Sequence, residues 1–169
     1  MITIQKKYFY LYFGLLAGLA FILYNELNNS VLKNASGISS IIGMLAHFFI
    51  LLYSVKYYIK NFADGHIRFW QVYKKAIIIT IIGSVLNSIY LYIAYKLKPG
   101  LLADFKAMIE ETYLNSGMPE DQVEMISAAI TPVVISIVYF IYITFGGLLL
   151  GLIVSSISRK EQNPLEKAE

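Results

Sequence analysis

The sequence predicts an all-α integral membrane protein: a four-transmembrane-helix bundle with two short amphipathic helices between the third and fourth spans. Two observations support this fold class. Of the 169 residues, 57% are hydrophobic and only 15% are charged, and the mean hydropathy is +0.61. Charge-free windows cover residues 8–25, 34–55, 76–95 and 125–158. Each window can supply the roughly 20 mainly apolar residues that a membrane-spanning helix needs.

The first two spans are predicted over about 8–25 and 38–59. Residues 25–30 are polar and are expected to connect them, with a turn at Ser36 and Gly37. A cleaved signal peptide is the competing interpretation of the first span, because lysines precede its apolar stretch. The stretch stays apolar through residue 24, which favours a retained span.

The third span is predicted over about 69–97, because Pro99 and Gly100 cannot continue a helix. The fourth is predicted over 132–158, because Pro132 suits the first turn of a helix, where its missing N–H costs nothing. Together the four spans form a single membrane domain over residues 1–169.

The segment between the third and fourth spans, about 100–130, is predicted to be extracytoplasmic and to hold the two amphipathic helices. Apolar residues recur there at helical spacing among charged ones. A break over residues 115–117 separates the helices, and the second opens with acids in its first turn. Their apolar faces are expected to lie on the bundle or on the lipid headgroups.

The distribution of basic residues predicts the orientation, since Lys and Arg are retained on the cytoplasmic face. With four spans, both termini share a side with the middle loop. That side carries 10 basic and 4 acidic residues, whereas the opposite side carries 4 basic and 7 acidic residues. The two net charges, +6 and −3, add to the +3 of the chain. Both termini are therefore predicted to be cytoplasmic, in a bacterial inner membrane.

Polar residues inside the spans are the candidates for an intramembrane contact. His47 lies near the middle of the second span, and Thr80, Ser84 and Asn87 share one face of the third. A hydrogen bond between His47 and Asn87 is the specific prediction. Such a bond contributes on the order of 1 kcal/mol when its role is structural. The functional alternative makes His47 part of a proton or ligand site.

Two Gly-x-x-x-Gly patterns predict close helix packing: Gly14 with Gly18 in the first span, and Gly147 with Gly151, extended by Ser155, in the fourth. The simplest use is packing of the first helix against the last. A homodimer contact is the alternative, because the motif does not name its partner.

Five basic residues near the middle loop are candidate contacts for anionic lipid: Lys56, Lys60, Arg68, Lys74 and Lys75. The sequence has no cysteine, no His-x-x-x-His metal pair, no glycine-rich phosphate loop and no carboxylate within a span. We therefore expect no catalytic residues, cofactor or metal. A net charge of only +3 also argues against a nucleic-acid partner.

The chain also resembles family 4199 of the domains of unknown function, a group of small bacterial inner-membrane proteins found mainly in the Bacteroidetes. The likeness covers most of the chain and is most specific over residues 55–61, 65–69 and 72–74, and next over 113–122. The resemblance implies a four-span topology. It implies no activity and no catalytic residues.

The function expected from these observations is that of a non-enzymatic accessory or scaffold subunit, which acts through contacts with lipid and with a membrane protein partner or a second copy. The alternative is a small-solute or proton pathway built around His47 and Asn87. A lipid-processing enzyme is a third hypothesis, and it requires polar residues that converge at an interface.

Overall fold

The computed structural model describes residues 5–30, 36–63 and 65–159 and folds them into six α-helices without a strand. In chain order these are α1 (Phe9–Ser30), α2 (Ser36–Phe62), α3 (Phe69–Leu97), α4 (Pro99–Asn115), α5 (Glu120–Ala129) and α6 (Pro132–Ser158). The predicted all-α fold class is confirmed. Some residues in the orientation count lie outside the described ranges: Lys33, Asp64, Lys160, Glu161, Glu166, Lys167 and Glu169.

Four of the helices, α1, α2, α3 and α6, are long and apolar enough to cross a bilayer. Their outward faces are apolar as well, which distinguishes them from the helices of a soluble protein. On α6, for example, Ile137, Ile141 and Phe145 are more than half exposed. Apolar side chains on both the buried and the outward faces indicate a membrane protein in contact with lipid.

Helix α1 is longer than predicted. The polar residues 25–30, expected to form a connection, continue the helix to Ser30. They contain no proline or glycine, so nothing in the backbone stops the helix there. Asn25 is buried and bonded to another helix, so the polar residue that suggested a loop is part of the helix packing.

Prolines fix three helix boundaries where the sequence predicted them. Helix α3 ends at Leu97 and α4 begins at Pro99, in the first helical position. Helix α6 begins at Pro132, and the backbone N–H of Val134 donates a hydrogen bond of 3.3 Å to Thr131 Oγ1. The hydroxyl of Thr131 thus satisfies one of the free N–H groups at the start of this span.

Gly117 ends α4. Its φ of 83° is the left-handed conformation that glycine adopts without a steric cost. The N–H of Met118 donates to the carbonyl of Tyr113, and that of Gly117 donates to the carbonyl of Leu114, which is the Schellman arrangement. Helix α5 then begins at Glu120. The two short helices predicted between the third and fourth spans are present.

The chain forms two compact units: Met1–Asn87 with Tyr142–Glu169, and Ser88–Ile141. We refer to them as the first and second unit. The core of the first unit contains side chains from four helices: Phe9, Phe13, Leu51, Val55, Val72, Ile79, Leu150 and Val154. In the second unit, Leu91, Tyr95 and Ile135 form the core, against which α4 packs Leu101, Leu102 and Phe105. The single membrane domain predicted for residues 1–169 stays a prediction.

Candidate functional site

His47 lies at a contact of three helices in the first unit. Its side chain is 4% exposed. The Nε2 atom is 3.1 Å from Thr80 Oγ1 on α3, within hydrogen-bonding distance. The ring of Phe21, on α1, meets the imidazole edge to face, with 4.8 Å between the ring centroids. One polar residue of α2 is thereby fixed against both α1 and α3.

Thr80 also contacts a fourth helix. A Cβ atom added to Gly147, on α6, would overlap the side chain of Thr80. The hydroxyl of Thr80 therefore bonds to α2 while the same side chain fills the space above a glycine of α6. Thr80 is 1% exposed, as expected for a residue enclosed by its neighbours.

The second intramembrane contact joins α1 to α3. Asn25 Nδ2 donates a hydrogen bond of 2.7 Å to Asn87 Oδ1. The predicted hydrogen bond between His47 and Asn87 is wrong. His47 lies level with Thr80, which is seven residues, or about 10 Å, from Asn87 along α3. The two polar residues are thus too far apart along the axis of α3 to form a hydrogen bond.

Asn87 keeps one unsatisfied polar group. Its side chain is fully buried, and its Nδ2 atom has no hydrogen-bond partner among the described residues. An unpaired buried donor costs about 1–3 kcal/mol. Such a group in a native structure calls for an explanation, and a bound water or a small polar solute would supply the missing acceptor.

The polar face predicted for α3 is buried, but each of its residues forms a hydrogen bond with a different partner. Ser84 Oγ donates a hydrogen bond of 2.8 Å to the carbonyl of Thr80, within the same helix. Thr80 bonds across to α2 and Asn87 to α1. Ser84 therefore satisfies itself locally, and the interhelical bonds lie at the two ends of this polar face.

The glycine motif of α1 packs against α3. A Cβ on Gly14 would lie 2.5 Å from Ile82 Cγ2, and one on Gly18 would lie 2.6 Å from Leu86 Cδ2. In return, a Cβ on Gly83 would lie 3.1 Å from the Cβ of Ala17. Glycines on both sides allow the two backbones to approach closely.

The glycine motif of α6 also packs against α3. Gly147 faces Thr80, and a Cβ on Gly151 would lie 3.3 Å from the ring of Tyr73. Ser155, which extends the motif, is buried and donates to the carbonyl of Gly151. The predicted packing of the first helix directly against the last through these motifs is wrong, because both motifs face α3.

Lys75 lies in an aromatic cage at the start of α3. Its side chain is 9% exposed. The ammonium lies 3.7 Å from the ring centroid of Tyr58 and donates a hydrogen bond of 3.2 Å to the hydroxyl of Tyr10. Tyrosine faces stabilise a cation electrostatically. Lys75 therefore points into the packing of α1, α2 and α3.

The other four candidate lipid contacts differ from Lys75. Lys56 and Lys60 are exposed one turn apart on α2, and Arg68 and Lys74 are exposed around the start of α3. Their charged groups can reach the surroundings of the protein. The structure thus separates one caged lysine from four outward-facing basic residues.

The second unit contributes an acidic groove. A cavity of about 260 Å³ between α4 and α5 is lined by Glu110, Leu114, Glu120, Val123 and Glu124. Within residues 5–30, 36–63 and 65–159, no three His, Cys, Asp or Glu side chains are arranged to hold a metal ion. The groove presents three carboxylates, with Leu114 and Val123 beside them.

Comparison with known families places the chain. The family described as protein of unknown function (DUF4199) matches residues 9–160. The chain belongs to the DUF4199 family. A search of curated proteins gave no match, and neither did a search of solved structures. The resemblance noted from the sequence is thereby confirmed over most of the chain.

Membership of DUF4199 assigns no site residues, so the site rests on geometry alone. Sequence reasoning missed three partners that the geometry supplies: Asn25 for Asn87, and Tyr10 and Tyr58 for Lys75. A signal for Asn25 existed. It follows Gly14 and Gly18 by 11 and 7 residues, so the three share one face of α1. The tyrosines had no comparable signal. Seven tyrosines lie near the predicted cytoplasmic ends of the spans, and nothing in the sequence distinguishes Tyr10 and Tyr58 from the others.

Proposed function

We propose that this DUF4199 protein is a non-enzymatic accessory or scaffold subunit of the bacterial inner membrane, with both termini in the cytoplasm. It acts by contacting a membrane protein partner through one of its charged surfaces. Two hydrogen bonds, Asn25 to Asn87 and His47 to Thr80, join membrane-spanning helices to one another, which favours a packing role for the bundle.

One observation carries this proposal: the charges segregate between the two units. The described residues of the first unit include 8 basic residues and a single acid, Glu26. Those of the second unit include 3 basic and 6 acidic residues. Surfaces of one sign select partners of the opposite sign and steer their association. The groove with Glu110, Glu120 and Glu124 is the partner surface that we favour.

Affinity purification tests the proposal. The tagged chain is crosslinked in its native membrane, extracted in mild detergent and analysed by quantitative mass spectrometry. We expect one stoichiometric partner. Changing Glu120 and Glu124 to Gln should reduce its recovery. The matched control changes Glu111 and Asp121, exposed acids of the same two helices that do not line the groove, to Gln and Asn. Recovery of the chain alone would contradict the accessory role.

A small-solute or proton pathway is the second candidate function, and the unpaired Nδ2 of Asn87 favours it. A solute that passes through the bundle could bind at this donor. The test measures flux into proteoliposomes for His47→Leu and Asn87→Leu, together with thermal unfolding of each variant. Loss of flux with unchanged stability supports the pathway. Loss of stability, or no effect on either property, supports packing.

A further inference from the structure

Tyr58 brings three helix ends of the first unit together. Its ring lies 3.7 Å from the ammonium of Lys75, at the start of α3, and 6.0 Å from that of Lys6, just before α1. Tyr58 itself lies in the last turns of α2. Helix α6 ends on the same side, because Gly151 packs against Tyr73 and Ala76 in the first turns of α3. All four long helices therefore place one terminus at this end of the unit.

These helix ends carry the basic residues of the unit. One of the eight, Lys75, is enclosed by tyrosines, and the other seven are exposed. We call these seven the basic end: Lys6, Lys7, Lys56, Lys60, Arg68, Lys74 and Arg159. They share one sign and one region, so they attract negative charge that reduces their mutual repulsion.

The described part of the unit does not supply that negative charge. Its single acid, Glu26, follows Tyr10 by 16 residues on α1, which corresponds to about 24 Å along the helix. Tyr10 contacts Lys75 and so marks the level of the basic end. Glu26 therefore lies near the opposite end of α1 and cannot pair with these cations.

Exposed aromatic side chains accompany the basic end. Tyr8 lies just before α1, Tyr53 on α2 and Trp70 on α3, and each is more than half exposed. Lys56 and Lys60 follow Tyr53 by three and seven residues, on the same face of α2. Exposed Tyr and Trp side chains with neighbouring cations are characteristic of the headgroup level of a bilayer.

We propose that the basic end binds the phosphate groups of anionic phospholipids and enriches these lipids around the protein. The occupant is a lipid rather than a protein, because the cations lie beside apolar, outward-facing helix surfaces at headgroup level. Lys75 takes no part, since its ammonium is already coordinated inside the protein. The proposal requires only a bilayer, so it does not depend on the accessory role.

The test uses bilayer nanodiscs that contain phosphatidylglycerol and phosphatidylcholine in equal amounts. Native mass spectrometry counts the lipids that remain on the released protein. We expect phosphatidylglycerol to be enriched over its share of the bilayer. The variant Lys56→Gln, Lys60→Gln, Lys74→Gln should lose this enrichment, because each charge near the surface contributes about a fivefold preference for binding anionic lipid. High salt should also weaken it.

The matched control is Lys96→Gln, Lys98→Gln, Lys106→Gln, which removes three lysines of the second unit and the same net charge. Replacing Lys56, Lys60 and Lys74 by Arg should preserve the enrichment, which separates lost charge from poor folding. Equal retention of the two lipids by the wild type would overturn the proposal. So would an equal loss in the control variant, or displacement of the lipid by inorganic phosphate at low concentration.

Discussion

Thr80 occupies the space that a side chain at Gly147 would need, so the contact between α3 and α6 requires a glycine there. We expect Gly147→Ala to lower the free energy of unfolding by about 2 kcal/mol, because an added methyl group in a packed core forces its neighbours apart. Unfolding in mixed detergent micelles measures the change.

Gly146→Ala is the control, because nothing lies within 4 Å of a Cβ at that position. Its stability should equal or exceed that of the wild type, because alanine favours a helix over glycine. The double variant Gly147→Ala, Thr80→Ser should recover part of the loss, since serine keeps the hydroxyl but lacks the methyl group. Equal destabilisation by the two glycine variants would show that helix flexibility, rather than contact with Thr80, determines the effect.

The hydrogen bond between His47 and Thr80 should make a modest contribution to stability. We expect His47→Leu and Thr80→Val each to cost about 1 kcal/mol, as for other hydrogen bonds between membrane helices. The double variant should cost less than the sum, because the two residues share one bond. Additive costs in this double-mutant cycle would contradict a direct interaction.

The pair of asparagines should behave differently, since Asn87 already has one unpaired group. Asn25→Leu leaves both polar atoms of the Asn87 side chain without a described partner, and we expect a loss of about 2 kcal/mol. Replacing both asparagines by leucine removes the polar groups of this pair together. The double variant should therefore be more stable than Asn25→Leu alone, which thermal unfolding can show.

Local signals in the sequence predicted several helix boundaries but not the partners of the helices. Pro99, Gly117 and Pro132 act on the backbone next to them, so their effects follow from the sequence directly. The partner of His47 depends on the height and rotation of α3 relative to α2. Both quantities are determined by the packing of the helices. A glycine motif indicates only that another helix packs closely there, without identifying which one. This is why both motifs were recognised while their common neighbour, α3, was not.

Lys75 and Lys74 are adjacent in sequence but should respond differently to substitution. Lys75→Met removes a cation from the cage of Tyr10 and Tyr58 and should cost about 1–2 kcal/mol. Lys74→Met, at an exposed position, should leave the stability unchanged. Thermal unfolding of the two variants in the same detergent provides the comparison. Equal stabilities would mean that the contacts of Lys75 contribute nothing to folding.

The orientation can be tested by labelling single cysteines, because the chain has none of its own. In intact cells, an impermeant maleimide should label Ser116→Cys, in the turn after α4, and should not label Asn61→Cys, near the end of α2. Both positions are exposed. Asn61 is a better site than Gly65, whose φ of 82° would strain a cysteine.

Permeabilised cells provide the control, since both cysteines should then react. The expected pattern follows from the excess of Lys and Arg on the side of the termini. If Asn61→Cys alone reacts in intact cells, the orientation is reversed. The basic end would then face the periplasm.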